Sequence, residues 1–344
     1  MAKIVMADDG IVFDGNSLKN GPLGGAETAF LSLAQAFAKT GHQVEVWNKC
    51  PAPMTENGVN WQPLSDQIPD NCDLYIANRS DKLIPKSKDP ENAAFWIHNP
   101  ANYLLKPRYL WKLWNRKMPI IFSGTYHAKS YPMWAPDCGR HIIPYGISDV
   151  FRLAVPLGVV PRPYAIFTSN PLRGLDWLLD LWRDRIFPAV PNAELHIYSG
   201  AATYGSYGAN RAATMNKIFQ NALKMQNKGV FLHEPVSKKE LANVLLKTRV
   251  LLYRGDPEET FCLSVGEAQA AGVPVVVKDI GCVSERIIDN ETGFLAHDDD
   301  TFVEKTIKLF IDDKLWQKFN SASVAQQRSW GWEDAAGAFE ELFL

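Results

Sequence analysis

Short apolar segments alternate with segments of helical periodicity along almost the whole chain, and this alternation constrains the fold more than any other feature. The apolar segments of the first half are KIVMA, QVEVW, DLYIA, AAFWI, PIIF and HIIPYGI. Those of the second half include YAIFTS, ELHIYS, VFLH, RVLLY and PVVV. Strands that are separated by helices form parallel sheets through right-handed crossovers. The sequence therefore predicts an α/β protein with parallel sheets.

A proline-rich segment divides this alternation into two parts. The segment VPLGVVPRP, residues 155–163, is a plausible linker, and the strand–helix rhythm restarts after it at YAIFTS. A chain of 344 residues is also too long for one ordinary domain and suits two. We expect a first domain over residues 1–150 and a second domain over residues 151–329.

Charge and cysteine usage exclude several classes of function. The formal net charge of −2 gives no reason to expect a nucleic acid as partner. The five cysteines are scattered without a CxxC pair, so neither a disulfide framework nor a zinc site is predicted. The segment MAKIVMADDG is not typical of a signal peptide, and no apolar run approaches the ~20 residues of a membrane span. We therefore expect a cytoplasmic protein.

The unusual loops of the chain all follow predicted strands. Parallel sheets bind ligands beyond the carboxyl ends of their strands, so one cleft between two lobes could collect all these loops. The loops are GPLGGAET, HNP, SNPLRG, SGAATYGSYG, EPVS and RGDPEETFC.

Two of these loops have features that suit a phosphate or a sugar. In GPLGGAET, the adjacent Gly24 and Gly25 let the backbone approach a ligand at the start of a helix. Neither GxGxxG nor the P-loop pattern is present, and a tight turn without a ligand is an equal alternative. In SNPLRG, Arg173 stands before a helix and could meet a diphosphate bidentately. For a lone arginine the favoured alternative is a solvated surface residue.

The stretch EETFCLSVGEAQAAGVPVVV, residues 258–277, contains two glutamates eight positions apart. A helix over about residues 262–271 places Glu267 inside it and Glu259 on the loop before it. Because helical side chains lean toward the N-terminus, Glu267 would reach back toward the cleft. The two carboxylates could bind hydroxyls while the N–H groups of Phe261, Cys262 and Leu263 face an anion between them. This pattern fits a nucleotide sugar, and the alternative is two exposed glutamates on an amphipathic helix.

The same stretch resembles the E-x7-E signature of retaining glycosyltransferases with the GT-B fold, specifically glycosyltransferase family 4. Further segments that resemble this family are GGAETAFLSLAQAFAKTGHQVEVW, HIIPYGIS, SNPLRGLDWLL, VSKKELANVLLKTRVLLY, ERIIDNETGFL and SWGWEDAAGAFEEL. The resemblance implies two Rossmann-like, doubly wound parallel-sheet domains that face each other across a cleft. The N-terminal domain, completed by a helix over about residues 330–344, would take the acceptor, and the C-terminal domain would bind the donor.

The resemblance implies roles for the matching residues. Glu267 would bind the ribose hydroxyls of the donor. Glu259 would contact the transferred sugar, together with the amides of Phe261, Cys262 and Leu263. Gly24 and Gly25 would approach the donor near its phosphates or sugar. Arg173 would bind the diphosphate, with Asn170 of the same turn beside the donor. His98 would lie near the reacting sugar, unless it serves only the structure of its loop.

Two departures from the family pattern concern the donor. The family turn usually has an earlier basic residue, whereas this chain reads Thr168, Ser169 and Asn170, and Arg254 is a candidate replacement. The strand VFLH runs into Glu234 and a proline where relatives have a glycine near the base. Glu234 could accept hydrogen bonds from guanine, but we expect it to face solvent. The donor is therefore expected to carry UDP or GDP.

The resemblance implies transfer with retention at the anomeric carbon. The leaving diphosphate would be stabilised by Arg173 and would itself take the proton of the acceptor hydroxyl. No DxD-like motif stands where it would hold a metal between phosphates, since the aspartates at 298–300 are expected to be solvated. We therefore expect no cofactor and no obligatory metal. The alternatives are a nucleotide-sugar epimerase of the same fold and a nucleotide-sugar-binding protein with weak or no turnover.

A basic amphipathic segment suggests the kind of acceptor. The segment YLLKPRYLWKLWNRKMP, Tyr103 to Pro119, contains no acidic residue, and its proline can open a helix. Arg108, Lys112 and Arg116 would lie on one face, and Leu110, Leu113 and Trp114 on another. We expect weak peripheral contact of this segment with the inner face of a membrane. Because many members of the family that the chain resembles glycosylate lipid-linked acceptors, the resemblance implies a saccharide or lipid-linked acceptor, as in cell-envelope polysaccharide, lipopolysaccharide or glycolipid synthesis. The alternative is a helix that packs on the sheet with its basic side solvated.

Overall fold

The computed structural model describes residues 1–65, 68–86, 93–155 and 158–344, which form two compact units. Unit 1 contains Met1–Gly146 and Trp330–Leu344, and unit 2 contains Ile147–Ser329. The chain therefore leaves unit 1 four residues before the boundary expected after residue 150. Pro156 and Leu157 of the predicted linker lie outside the described residues.

Fourteen strands and thirteen α-helices occur in the described parts of the chain. The strands are β1 (Lys3–Ala7), β2 (Gln43–Asn48), β3 (Met54–Glu56), β4 (Val59–Pro63), β5 (Leu74–Asn78), β6 (Ala93–Trp96), β7 (Ile120–Phe122), β8 (Arg140–Ile142), β9 (Tyr164–Phe167), β10 (Glu194–Tyr198), β11 (Val230–His233), β12 (Val250–Tyr253), β13 (Val275–Lys278) and β14 (Gly293–Ala296). The helices are α1 (Ser17–Asn20), α2 (Gly25–Lys39), α3 (Pro107–Arg116), α4 (Thr125–Lys129), α5 (Asp149–Arg152), α6 (Leu175–Leu181), α7 (Phe187–Ala189), α8 (Gly205–Leu223), α9 (Lys238–Leu245), α10 (Leu263–Ala270), α11 (Asp299–Ile311), α12 (Asp313–Gln327) and α13 (Trp332–Phe343). None of the described helices is both long and apolar enough to cross a bilayer.

Unit 1 is built on an eight-stranded sheet in the order β3-β4-β2-β1-β5-β6-β7-β8. Every pair of neighbours is parallel except β3 and β4, which are antiparallel. The central strands β5 and β6 are buried along their whole length, as expected for a parallel sheet that is covered on both faces. The strand order turns back between β1 and β5, so the loops after these two strands flank the switch point of unit 1.

The packing of α2 follows its sequence periodicity. Phe30, Leu33, Ala34 and Phe37 are all buried on the face that the spacing predicts. The ring of Phe37 meets that of Phe339 on α13 edge to face, with the ring centroids 6.0 Å apart. The C-terminal helix therefore packs within unit 1 through an aromatic contact.

The sequence analysis missed the hairpin of β3 and β4. The two strands are joined by Asn57 and Gly58, which have φ angles of 50° and 77°. Positive φ at both central residues is typical of a type I′ turn, for which Asn-Gly is the preferred pair. The signal was therefore present in the letters MTENGVNW. At the other edge, β8 covers only the start of HIIPYGI and ends before Pro144, which has no N–H to donate to a neighbouring strand.

Unit 2 is built on a six-stranded parallel sheet in the order β11-β10-β9-β12-β13-β14. Renumbered within the unit, this is the order 3-2-1-4-5-6 of the Rossmann fold. The order reverses between β9 and β12, so ligands of such a sheet bind beyond the carboxyl ends of these two strands. The loops SNPLRG and RGDPEETFC leave the sheet at this switch point.

Candidate functional site

The switch point of unit 2 brings together two residues that the sequence analysis singled out separately. Arg173 follows β9 and Glu259 follows β12, and Arg173 Nη1 lies 2.6 Å from Glu259 Oε1. The other carboxylate oxygen of Glu259 accepts a hydrogen bond of 2.5 Å from the hydroxyl of Tyr253, the last residue of β12. Topology therefore joins side chains that are 86 residues apart in sequence.

Burial governs the electrostatics of this pair. Glu259 is only 6% exposed, and burial raises the pKa of its carboxyl group against the opposing effects of Arg173 and the Tyr253 hydroxyl. Burial acts to lower the pKa of Arg173, but the charge of Glu259 outweighs it, and the pKa is raised. Any anion that reaches Arg173 must therefore bind beside a carboxylate that already holds it.

The turn into α10 has an unusual backbone. Cys262 is the N-cap of α10 and has a φ of 63°, in the left-handed region that side chains other than glycine rarely adopt. The preceding loop packs tightly on the turn after β13. The backbones are so close that a Cβ at Gly281 would lie 2.1 Å from the carbonyl oxygen of Asp256. Phe261 and Cys262 are buried. Backbone strain of this kind persists where the surroundings fix it, and it is common at functional sites.

Glu267 lies in the second turn of α10 and is 4% exposed. Its Oε1 atom lies 2.6 Å from Nζ of Lys238, the first residue of α9. A capping box between Ser237 and Glu240 fixes the start of α9 and hence the position of this lysine. Both glutamates of the pair are thus buried and ion-paired, which excludes the alternative of two exposed glutamates.

Asn170 and Arg254 complete the description of the turn after β9. The side-chain oxygen of Asn170 accepts from the Leu172 N–H at 3.0 Å, so this amide holds the turn. Gly174 has a φ of 85°, and a Cβ there would lie 2.4 Å from Cδ of Arg254. The stem of Arg254 therefore crosses the backbone beside Arg173, which keeps it a candidate for the basic residue that the turn lacks.

The switch point of unit 1 contains a buried charged network. Arg79 has a φ of 50° and donates to Asp8 at 3.1 Å and to Glu27 at 2.7 Å. Glu27 belongs to the first turn of α2, for which Gly24 is the N-cap and Gly25 the first residue. Gly24 has a φ of −58°, so its backbone does not require glycine on conformational grounds. The predicted glycine turn is thus tied to Asp8 through Glu27 and Arg79.

His98 is held between two partners in the same unit. Its Nε2 atom lies 2.6 Å from Oδ1 of Asn78, and its Nδ1 atom is hydrogen-bonded to the Tyr145 hydroxyl. The amide nitrogen of Asn78 donates to Asp8, so its oxygen accepts and Nε2 carries the proton of His98. Burial, with the charge of Arg79 in second place, lowers the pKa of His98 well below its usual value. A neutral imidazole with both nitrogens bonded fits the structural alternative, and a catalytic role stays a prediction.

Several residues of these two networks were missed by the sequence analysis. They are Tyr253 and Lys238 in unit 2, and Asp8, Glu27, Asn78, Arg79 and Tyr145 in unit 1. A signal existed for Asp8, which directly follows β1, and for Asn78 and Arg79, which end and follow β5, since both strands are apolar and border the switch point. Nothing local marks Tyr145 or Lys238, whose roles depend on distant partners.

The segment Tyr103 to Pro119 contains the predicted helix, α3, but the expected faces are partly wrong. Leu113 is buried with Tyr109, whereas Trp114 is 65% exposed and meets the equally exposed Trp111 edge to face at 5.6 Å. One helical position turns a side chain by 100°, so Trp114 cannot share the inward direction of Leu113.

The basic side of α3 is also partly engaged. Lys112 Nζ lies 2.7 Å from Asp81 Oδ2, and Arg116 donates to the Pro85 carbonyl at 3.2 Å. Arg108, by contrast, is mostly exposed and lies 3.5 Å from Asp81. The outward face of α3 is therefore aromatic, with basic side chains at its margins.

The described residues contain no cluster of three or more side chains suited to hold a metal ion. The three aspartates at 298–300 instead begin α11. Asp298 caps this helix by accepting from the Thr301 N–H at 2.7 Å, and Asp299 pairs with Lys278 at 2.7 Å. Asp300 is largely exposed beside Arg185. Acidic residues at a helix N-terminus stabilise it, which accounts for this run without a ligand.

Sequence comparison places the match in unit 2. Residues 162–312 match the family model described as Glycosyl transferases group 1. A D-inositol 3-phosphate glycosyltransferase of Xylanimonas cellulosilytica is 29% identical over 116 residues, which are 33% of this chain and 28% of the relative. The same enzyme of Corynebacterium diphtheriae is 33% identical over 87 residues, 25% of this chain and 20% of the relative. The matches thus span about a quarter of the length of these curated relatives.

Structural comparison covers both units. Sucrose-phosphate synthase from Thermosynechococcus elongatus superposes with a TM-score of 0.75 at 15% identity, over 100% of this chain and 98% of the other. Anabaena HepE in complex with UDP-glucose has a TM-score of 0.70 at 14% identity, over 99% of each chain. At these identities the likeness shows the fold alone. The predicted fold class, α/β with two Rossmann-like parallel-sheet domains of the GT-B type, is confirmed.

Proposed function

We propose that this chain is a retaining glycosyltransferase of family 4 that transfers a sugar from a nucleotide-diphosphate sugar to a hydroxyl acceptor. The observation that carries the proposal is the buried group of Arg173, Glu259 and Tyr253 at the switch point of unit 2. This group lies within the residues that match the Glycosyl transferases group 1 model. This site combines a cation, a carboxylate and the N-terminus of a helix. The cation and the helix N-terminus suit an anion, and the carboxylate suits hydroxyl groups beside that anion.

The geometry of unit 2 supports the proposed donor contacts. Glu267, which is now paired with the partly exposed Lys238, accepts hydrogen bonds from the ribose hydroxyls, and Glu259 accepts one from a hydroxyl of the transferred sugar. Arg173 binds the diphosphate, with Asn170 holding its turn. The amides of Phe261, Cys262 and Leu263 face the anion. When the donor binds, its hydroxyl groups replace the lysine or arginine that each glutamate now contacts. Both buried carboxylates therefore keep hydrogen-bond partners, which buried polar groups require.

Unit 1 is proposed to hold the acceptor. Gly24 and Gly25 approach the donor near its phosphates or sugar. His98 touches the reacting sugar only if it gives up one of its two hydrogen bonds, because both ring nitrogens have protein partners.

The proposed reaction breaks the bond between the anomeric carbon and the diphosphate oxygen, and forms a bond to the acceptor oxygen on the same face. Negative charge develops on the leaving oxygen, where Arg173 stabilises it. The acceptor proton passes to that oxygen, so no protein base and no metal enters the scheme. The charge of Glu259 stays close to the anomeric carbon, which becomes positive during transfer.

Of the two expected donor bases, uracil and guanine, we propose uracil. Glu234, the candidate for selecting guanine, is exposed, as expected. Structures of the similar fold were solved with UDP-glucose and with UDP. The first ligand screen should therefore contain UDP-sugars, with GDP-sugars as the comparison set.

Two measurements test this function and its alternatives. A ligand that binds the folded state raises the melting temperature, so UDP- and GDP-sugars should be screened by thermal shift. Product analysis with the stabilising donor then separates the candidates, since transfer gives a glycosylated acceptor and epimerisation gives an isomerised donor. A donor that stabilises the chain without any product would indicate a binding protein. No stabilisation by any nucleotide sugar would contradict the proposal.

The acceptor is proposed to be a saccharide or a lipid-linked saccharide of cell-envelope polysaccharide, lipopolysaccharide or glycolipid synthesis. The support is the outward face of α3, where Trp111 and Trp114 lie exposed. Arg108, Lys106 and Lys117 are exposed at its margins. Tryptophan prefers the interface between water and lipid, and each basic residue near an anionic surface contributes about 1 kcal/mol. We therefore propose peripheral contact with the cytoplasmic face of a membrane.

Vesicle sedimentation tests the membrane contact. The wild-type chain should bind anionic vesicles at low salt and release them at high salt, whereas Trp111→Ser with Trp114→Ser should abolish binding. Trp134, which is 71% exposed elsewhere in unit 1, provides a matched control as Trp134→Ser. Absence of binding at low salt, or equal binding by the double variant, would leave a soluble acceptor as the better choice.

A further inference from the structure

Arg286 is a partly buried cation that no carboxylate pairs within the described residues. Its Nη2 atom donates to Oε1 of Gln327 at 2.8 Å, and Gln327 donates back to the Arg286 carbonyl at 3.2 Å. Its Nε atom is buried and has no hydrogen-bond partner. Burial lowers the pKa of this arginine, which is the mark of a charge held away from water. Such a position is costly unless a specific contact offsets the lost solvation.

The specific contact is with the donor loop. The central carbon of the Arg286 guanidinium lies 4.2 Å from the centroid of the Phe261 ring, within the range of a strong cation–π contact. Phe261 is buried and directly precedes Cys262, the residue with the left-handed backbone at the start of α10. The guanidinium plane is therefore one of the surfaces that fix the strained turn.

A glycine on α10 makes room for this arrangement. Gly266 stands inside the helix, and a Cβ there would lie 2.3 Å from Nη2 of Arg286. Glycine in a helix interior is less favourable than alanine, so its presence here is explained by the close approach of the guanidinium. Arg286 is thus fixed by α10, by Gln327 on α12 and by Phe261, although it contributes no ion pair to the core.

We propose that Arg286 is a positioning residue that holds Phe261, and with it the backbone of residues 259–263, in the conformation that receives the diphosphate of a nucleotide sugar. The ligand class rests on the proposed function. The positioning itself rests on the contacts of Arg286 with Phe261, Gln327 and α10. Because no carboxylate of the described residues forms an ion pair with the guanidinium, its contacts are the amide of Gln327 and the ring face of Phe261. Removal of the arginine should therefore loosen the ring, and removal of the ring should loosen the arginine.

Hydrogen exchange of the ligand-free chain tests the positioning without any nucleotide. Arg286→Gln should raise amide exchange in the peptide over residues 259–266 about tenfold and leave β9 and β12 unchanged. Arg185→Gln, which removes a partly exposed arginine beside Asp300 in the same unit, is the matched control and should change neither region. Unchanged exchange over residues 259–266 in Arg286→Gln would overturn the proposal.

A double-mutant cycle on UDP affinity tests the contact itself. Arg286→Gln and Phe261→Leu should each weaken UDP binding about tenfold by calorimetry, and the double variant should be no weaker than either single one. Arg286→Lys keeps the charge without the planar group and should recover only part of the affinity. Independent, multiplying losses would overturn the proposal. If Arg286→Gln does not fold, the Phe261→Leu arm still decides, since wild-type UDP affinity and wild-type exchange in that variant would refute it.

Failure of the two proposals can be told apart. A wild-type chain that binds neither UDP nor GDP would refute the nucleotide-sugar function, whereas the exchange measurement would still decide whether Arg286 positions the loop. Conversely, normal UDP binding with unchanged exchange in Arg286→Gln would refute the positioning role alone.

Discussion

Removal of Arg173 should destabilise unit 2 strongly and in a pH-dependent way. In the wild type, Glu259 accepts from Arg173 at 2.6 Å and from Tyr253 at 2.5 Å while almost fully buried. Arg173→Met leaves this carboxylate without its cation. Breaking a buried pair from one side costs about 3–5 kcal/mol, because the remaining charge is left uncompensated. We expect about 3 kcal/mol at pH 8, since the Tyr253 hydroxyl stays in place.

The pH dependence follows from the pKa of Glu259. Burial already raises this pKa in the wild type, and loss of the arginine charge, which lowers it, must raise it further. A carboxyl group whose folded pKa lies above its unfolded value of about 4.3 stabilises most below that value, and the contribution is lost as pH rises through the folded pKa. The defect of Arg173→Met should therefore be larger at pH 8 than at pH 5.5.

Urea denaturation at the two pH values, followed by tryptophan fluorescence, measures the effect. Glu259→Gln serves as the partner variant, and the double variant Arg173→Met with Glu259→Gln removes both charges at once. The double variant should be at least about 2 kcal/mol more stable than the sum of the single effects predicts. Additive losses, or a defect that does not change with pH, would refute the idea that the two side chains form one buried pair. Calorimetry should also show weaker UDP binding in Arg173→Met and in the double variant, because both lack the arginine.

Three further predictions concern single side chains. Glu267→Gln should weaken donor affinity more than turnover, and Glu259→Gln should do the reverse, by roughly 1–3 kcal/mol each for a lost buried partner; calorimetry and initial rates separate them. Burial lowers the pKa of His127 in the folded protein to about 4. In the unfolded protein its pKa is about 6.5, so the unfolded state binds a proton at this residue before the folded state does as the pH falls. The free energy of unfolding should fall by up to about 3 kcal/mol between pH 6.5 and 4, and less in His127→Gln. His98→Gln should lower turnover and melting temperature together if His98 is structural, whereas lost turnover at an unchanged melting temperature would make it catalytic.

The fold was largely predictable because its signals are local. Buried parallel strands are short apolar runs, and α2 repeats its apolar residues at helical spacing. The missed hairpin of β3 and β4 also had a local signal in Asn57 and Gly58, which the search for alternating strands and helices overlooked. The faces of α3 were partly wrong because the side that packs depends on neighbours such as Asp81 and Pro85, which lie in another part of the chain.

In the candidate site, too, features with a local signal could be predicted, and features that depend on distant parts of the chain could not. Glu259 and Glu267 could be selected from sequence because a charge inside an apolar stretch needs a partner. The partners themselves, Arg173 and Lys238, come from other strands and helices, so their identity depends on the topology of the whole sheet. Asp8, Arg79 and Glu27 come from three separate segments of unit 1, so although the strand ends mark Asp8 and Arg79, their association with Glu27 depends on the topology of the sheet.

The exposure of the paired cations has a consequence for how a donor would bind. The side chains of Glu259 and Glu267 are 7% and 6% exposed, while those of Arg173 and Lys238 are 32% and 27% exposed. Each carboxylate is therefore fixed and each cation faces partly toward water, free to change its geometry. A nucleotide sugar would bind by taking over hydrogen bonds that these cations now satisfy, so part of the gain is offset by the contacts it replaces. In unit 1, by contrast, both ring nitrogens of His98 are hydrogen-bonded to buried groups, the Tyr145 hydroxyl and the Asn78 amide, and a ligand that contacts this imidazole would have to replace one of these bonds.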